Sequence, residues 1–178
     1  MKKSILLIAE IGWNHFGDMD LACKMIEEAN KSGSDYAKFQ TWSVERLKSG
    51  SWDSDGRREI YKKAELSEED HRLLINHCKK VGIKFLSSIF SIDDAMLLVK
   101  LGIKEVKIPS FESRNHELIE YCNDNFDRIF MSTGTAKFEE IKQSIGLINK
   151  AELFVMHCVS MYPCNYENAN IGKMKKIE

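Results

Sequence analysis

Two lysines standing inside otherwise apolar runs ask for a chemical explanation. Lys38 sits in Tyr-Ala-Lys-Phe-Gln-Thr and Lys107 in Val-Lys-Ile-Pro-Ser. An ammonium is costly to bury unless it meets an anion. Lys38 and Gln40 are two residues apart, so on a strand they share one face. Glu10, after Leu-Leu-Ile-Ala, is either a structural partner for Lys38 or part of a site with it. Lys107 has no evident partner nearby in sequence, and a bound phosphate or carboxylate is the expected one. Ser110 and Glu112 follow it, and Ser132-Thr133-Gly134 closes another apolar run. Hydroxyls and free backbone N–H groups between a strand and a helix make a phosphate cradle. The same tripeptide is also an ordinary turn and cap.

The series ends with His157, Ser160 and Tyr162. His157 is either a core histidine at a strand end or a pocket residue. Asn14 and His15 lie in a loop whose Gly12 and Gly17 permit unusual backbone angles. His71 and His77 fall on a helix and are expected to be solvated or partly buried. No two histidines have metal-ligand spacing on a shared element, so no metal site of the chain's own is expected.

The elements that must position these groups alternate along the chain. Short runs rich in Ile, Leu, Val and Phe predict strands at Leu6–Ile11, Tyr36–Thr41, Lys84–Phe90, Glu105–Ile108, Arg128–Ser132 and Leu153–Val159. Helices start at Asp18, at the capping-box pattern Ser67/Asp70 and at its repeat Ser91/Asp94. They stop near Gly33, Gly82 and Gly102. Two more fit Glu117–Asp124 and Lys137–Asn149, the latter following a first turn near Thr135. The connection from Trp42 to Gly82 is the longest and holds a polar loop, Gly50 to Gly56, either functional or a plain surface excursion.

Regular strand–helix alternation predicts an α/β fold with a parallel sheet. A doubly wound open sheet and a (β/α)8 TIM-type barrel truncated after the sixth strand both fit. A complete barrel usually needs about 250 residues, and this chain has 178. The helical stripe beginning at Ile171, Met174 and Ile177 meets the end of the sequence without a cap, which favours the truncated barrel. In such folds the ligand end is the carboxyl end of the strands, where the polar residues above collect.

Composition removes several classes. A net charge of -1 argues against a basic nucleic-acid binder and a polybasic membrane-surface protein. No apolar run approaches the ~20 residues of a membrane span. Met1-Lys2-Lys3 leads into too short an apolar stretch for a signal peptide. Five widely spaced cysteines without a CxxC pair predict reduced thiols and a cytoplasmic location.

Ile8 to His15, Lys38-Phe39-Gln40-Thr41, Lys107 to Glu112, Ser132-Thr133-Gly134 and His157 to Pro163 together resemble the sialic acid synthase family. These are the N-acetylneuraminate, legionaminate and pseudaminate synthases. The resemblance runs from Ile8 to about Asn170, in order. It implies a barrel that condenses phosphoenolpyruvate with an N-acylated mannosamine-type amino sugar, releasing phosphate and a nine-carbon 2-keto acid. By the same resemblance Lys107, Ser110, Ser132, Thr133 and Ser160 would hold phosphoenolpyruvate, Ser160 standing where some members have Asn. Glu10, Lys38 and Glu112 would be catalytic, and Gln40, Tyr162 and Asn14 would meet the sugar, with His15 shaping the loop. A divalent manganese or magnesium ion is implied, its ligands on later strands outside this chain. Also implied are a missing C-terminal antifreeze-like domain and a homodimer for the complete protein. The chain is therefore expected to be a partial barrel over residues 1–178, from a longer synthase or a truncated gene.

Two other readings stay open. One is a catalytically inactive module that binds phosphoenolpyruvate or docks on another chain. The other is a 3-deoxy-keto-acid barrel synthase, which Asn14-His15 and Lys38-Phe39-Gln40-Thr41 disfavour.

Overall fold

The computed structural model describes residues 5–177. The Met1-Lys2-Lys3 segment and the terminal Glu178 lie outside them. The chain divides into two compact units, with the boundary between Ser88 and Ile89.

The first unit holds β1 (Ile8–Gly12), α1 (Met19–Lys31), β2 (Tyr36–Thr41), α2 (Arg57–Ala64), α3 (Glu68–Val81) and most of β3 (Lys84–Ile89), with strand order β1-β2-β3. β1 and β2 run parallel with Glu10 opposite Lys38, and the register shifts just beyond, between Glu10 and Gly12. Asp18 caps α1 by accepting from the Leu21 N–H at 2.9 Å. The helix turns Ala22, Ile26 and Ala29 into the core. Ser67 and Asp70 form the expected reciprocal capping box on α3, which stops at Gly82 in the left-handed region. Tyr36 to Phe39 on β2 are all buried, as a strand covered on both faces requires.

Three expectations need correcting here. β1 starts two residues later than predicted. The long connection contains α2, a helix that periodicity did not reveal, because Arg57, Arg58, Glu59, Lys62 and Lys63 leave only Ile60, Tyr61 and Ala64 apolar. Tyr61 secures it, its ring 5.6 Å from Trp13, 5.9 Å from Trp42 and 5.6 Å from Trp52. His71 is neither solvated nor partly buried but fully enclosed, because it falls on the inner face of α3 with Leu74 and Cys78.

The second unit holds α4 (Ile92–Lys100), β4 (Glu105–Ile108), α5 (His116–Asn125), β5 (Arg128–Ser132), α6 (Phe138–Gly146), β6 (Glu152–Met156) and the short α7 (Met174–Ile177). Its strand order is β4-β5-β6, parallel and in unbroken register, Lys107 opposite Phe130 and Ser132 opposite Met156. The Ser91/Asp94 pattern works with a one-residue offset. Ser91 accepts from the Asp94 N–H, but the Asp94 carboxylate reaches back to the Phe90 N–H at 3.1 Å.

α6 begins at Phe138 rather than near Thr135 and ends at Gly146 rather than Asn149. Its early stop has a partner: Asn123 Oδ1 accepts the N–H groups of Asn149 and Lys150, both at 2.9 Å, drawing them out of helical pairing. β6 ends at Met156, so His157 and Ser160 stand beyond the strand. Ile171 and Met174, read as a helical stripe, open a 3-10 turn and α7 and are largely exposed.

Candidate active site

In the first unit the register of β1 against β2 sets a carboxylate beside an ammonium. Lys38 Nζ lies 2.8 Å from Glu10 Oε2 and donates to Ser88 Oγ at 2.9 Å and to the Phe39 carbonyl at 3.1 Å. An ammonium has three donors, and these three contacts match them. The pair is lopsided: the Lys38 side chain is 1% exposed and that of Glu10 56%. The ion pair therefore has a dry end and a wet end. Gln40 is partly exposed.

Asn14 is exposed and its Nδ2 donates to the Ile11 carbonyl at 2.8 Å. Buried His15 accepts the Gly17 N–H on Nδ1 at 3.1 Å, which pins the loop. Burial holds the His15 imidazole below its ordinary titration range, against a smaller upward pull from Asp70. A cleft of about 400 Å³ between β1 and α1 brings Glu10 and Asn14 together, with Ile11 and Ser32 among its walls. Lys38 and Gln40 are not part of it.

Behind β2 and β3 lies a network that reading the sequence missed. Thr41 Oγ1 is 2.8 Å from His71 Nε2 and 2.7 Å from Ser87 Oγ. The only advance signal is the run of hydroxyls, Thr41 ending one apolar strand and Ser87-Ser88 inside another.

In the second unit Gly134 is the pivot. Its N–H donates to Ser110 Oγ at 3.0 Å. A Cβ there would come 2.6 Å from Ser160 Oγ, 3.0 Å from Ser110 Oγ and 3.2 Å from Cys158 Cβ, so a side chain at this position would push these groups apart. Thr135 Oγ1 donates to the Ser110 carbonyl at 2.5 Å. Ser132 Oγ is enclosed and has no hydrogen-bond partner among the described residues. A buried polar group in that state asks for a water, an ion or a functional role. Lys107 is half-buried.

Thr133 is buried, and its hydroxyl and N–H both donate to the Met156 carbonyl, at 3.0 and 3.1 Å. Its proton is thus committed to the fold. Because α6 starts only at Phe138, the Ser132-Thr133-Gly134 cradle is built from a loop and its hydroxyls, not from a helix N-terminus.

Glu112 is buried, its Oε2 accepting from Asn115 Nδ2 at 2.8 Å, while Asn115 also caps α5. His157 Nε2 donates to the Ala169 carbonyl at 2.8 Å, and the ring lines a second cleft, of about 360 Å³, with Cys164 and Ile171. It is a pocket histidine rather than a core one. Tyr162, before a cis-Pro163, is 94% exposed and is not drawn into the serine cluster.

The cysteines offer no nucleophile in the core: burial pushes Cys78 and Cys122 up to about 12. Among the described residues no group of three or more His, Cys, Asp or Glu side chains is placed to hold a metal ion. These residues do not by themselves fit the divalent ion that the resemblance implies, and no step is derived through one.

Parallel strands alternating with helices define an α/β protein. Residues 25–178 match the NeuB family, and the chain belongs to it. It is 33% identical over 189 residues to the N,N'-diacetyllegionaminic acid synthase of Legionella pneumophila, covering 96% of this chain and 53% of that protein. It is 34% identical over 195 residues to the Campylobacter jejuni protein of the same name, covering 100% of this chain and 58% of that one. The solved N-acetylneuraminic acid synthetase of Leptospira borgpetersenii, in complex with citrate, superposes with a TM-score of 0.89 at 29% identity, over 98% of this chain and 61% of that one. The chain thus spans about half the length of the curated relatives it matches. Among its described residues no helix is long and apolar enough to cross a membrane.

Proposed function

We propose that this chain is the N-terminal barrel portion, truncated after the sixth strand, of a sialic-acid-type synthase. The complete enzyme joins phosphoenolpyruvate to an N-acylmannosamine-type sugar and works in the cytoplasm as a homodimer. The observation that carries the reading is the cluster around Gly134, where Ser110 and Ser160 converge, with the Ser132 hydroxyl, nearby in sequence, enclosed and without a hydrogen-bond partner among the described residues. It supports an anion site to which Lys107, on the adjoining strand β4, adds positive charge.

In the proposed reaction C3 of phosphoenolpyruvate attacks the sugar aldehyde, forming a C–C bond while the aldehyde oxygen takes up a proton. Water adds at the cationic former enol carbon, and the adduct expels phosphate to leave the 2-keto acid. Lys107, Ser110, Ser132 and Ser160 neutralise and orient the phosphate and carboxylate, and fixed dipoles stabilise charge that develops in the transition state. Thr133 acts by holding the cradle to β6. Glu10, 2.8 Å from the Lys38 ammonium, meets the sugar hydroxyls or carries a proton. Glu112 is a second carboxylate candidate for that work, and Gln40, Asn14 and Tyr162 are assigned to the sugar.

The test is a thermal melt of the chain with phosphoenolpyruvate, inorganic phosphate or neither, beside a turnover assay with a panel of N-acyl sugars. A ligand binding only the folded state at one hundred times its Kd adds about 2.7 kcal/mol. A melt raised by phosphoenolpyruvate more than by phosphate supports the reading, and the same rise without turnover favours a binding module. A melt that neither ligand moves defeats the anion site in this chain.

A further inference from the structure

We propose that His71 is a positioning residue for Lys38, acting from behind the sheet through the hydroxyls of Thr41 and Ser87. Its consequence for catalysis rests on the functional reading above; the mechanical link does not.

The link is continuous and dry. His71 and Ser87 have no exposed surface, Ser88 has 1% and Thr41 2%. His71 Nδ1 lies 2.7 Å from the Ser67 carbonyl. A carbonyl only accepts, so Nδ1 carries the proton, and in the neutral ring Nε2 accepts from Thr41 Oγ1 at 2.8 Å. With its proton so used, Thr41 accepts from Ser87 Oγ at 2.7 Å, a much shorter contact than the 3.4 Å from Ser87 Oγ to the Ser88 carbonyl. The order of donors follows from the fixed Ser67 carbonyl, the capping residue of α3.

Strand geometry carries this order to the other face. Thr41 is three residues from Lys38, so the two side chains leave β2 on opposite sides. Ser87 and Ser88, adjacent on β3, do the same. Ser87 is therefore held behind the sheet by Thr41, and Ser88 in front by Lys38 Nζ at 2.9 Å. Rotating or sliding the end of β3 would break both bonds at once, because a one-residue slip exchanges the faces. The ring of His71 also packs edge-on to Phe85 at 6.3 Å, and Phe85 stacks on Phe39, the neighbour of Lys38, at 5.7 Å. A satisfied buried network of this kind rigidifies what it joins. Lys38 is thereby pointed at Glu10 by a histidine it never touches.

The test is pulse acetylation of the whole chain by a water-soluble amine-reactive ester, read lysine by lysine by mass spectrometry. It needs neither turnover nor phosphoenolpyruvate, so it stands or falls apart from the functional reading. Thr41→Val removes the hydroxyl and keeps the shape; Thr41→Ser keeps the hydroxyl. Loss of the hydroxyl's two buried hydrogen bonds, to His71 and Ser87, should raise the labelling of Lys38 at least about tenfold in Thr41→Val. Thr41→Ser should stay within about twofold of the parent. His71→Gln, which can still accept from Thr41, should resemble the parent more than His71→Asn. Exposed Lys84, on the same strand as Ser87, is the internal control. A rise shared by half-buried Lys107, or equal rises in Thr41→Val and Thr41→Ser, overturns the proposal in favour of a purely structural role. Should the His71 variants fail to fold, the two Thr41 variants decide it.

Discussion

The charge pair of the first unit and the serine cluster of the second solve opposite problems. Within β2, Lys38 is enclosed and each of its three donors has an acceptor from the protein itself. At the end of β5, Ser132 is equally enclosed and its hydroxyl has none among the described residues. One region is electrostatically complete as it stands; the other leaves a polar demand for something else to satisfy. Burial alone therefore does not mark a binding site. A buried polar atom whose hydrogen bonding is unfinished, as at Ser132, asks for a further partner.

The difference can be broken from the charged side first. Glu10→Ala deprives an ammonium that is 1% exposed of this carboxylate, and should lower stability in a urea melt by about 3 kcal/mol. Lys38→Met strands only a half-solvated carboxylate and two neutral acceptors, so its loss should be smaller, about 1–2 kcal/mol. Equal losses would mean that the pair's asymmetry has no energetic content.

Gly134→Ala tests the crowded side. The added methyl meets Ser160 and Ser110 hydroxyls that can rotate away, so a calorimetric loss of about 1 kcal/mol is expected, within the overpacking range. The larger effect should be on the phosphoenolpyruvate-induced rise in Tm, which should vanish.

Acid titration should probe the first unit through His15. Burial lowers the His15 pKa from 6.5. The stability it contributes is present above 6.5 and is lost as pH falls through the lower folded value. His15→Asn, which preserves an acceptor for the Gly17 N–H, should flatten that part of the stability–pH curve measured by urea melts.

The smallest effect on folding is expected at Ser132. Ser132→Ala deletes a hydroxyl that bonds to nothing among the described residues, so stability should be unchanged or rise by up to about 1 kcal/mol. The ligand-induced Tm shift should nevertheless fall. A destabilised Ser132→Ala would show that the hydroxyl is already satisfied, and the contrast with Lys38 would collapse.

Much of the scaffold was legible in advance because it depends on neighbours in sequence. Asp18, Ser67 and the stop at Gly82 work as their local chemistry dictates. Three of the six strands carry the predicted bounds, Tyr36–Thr41, Glu105–Ile108 and Arg128–Ser132. The misses share a cause. α2 is held by Trp rings remote in sequence, and α6 is shortened by Asn123 from another helix. Each was decided by a partner that periodicity does not see.

The sequence by itself determined the alternation of strands and helices and membership of a family whose motifs it carries in order, while Glu10, Lys38 and Lys107, read as strand-end residues, stand within their strands. Hydrophobic period, caps and motif spacing are local, so they survive without coordinates. Only the tertiary structure decided which polar groups are satisfied. Glu10 and Lys38 are 28 residues apart in sequence but opposite each other in register, and nothing in either segment announces the other. The unpaired hydroxyl of Ser132 and the histidine behind Lys38 are likewise properties of packing. A hydrogen bond is made or missed within about 3 Å, a distance that chain order does not encode.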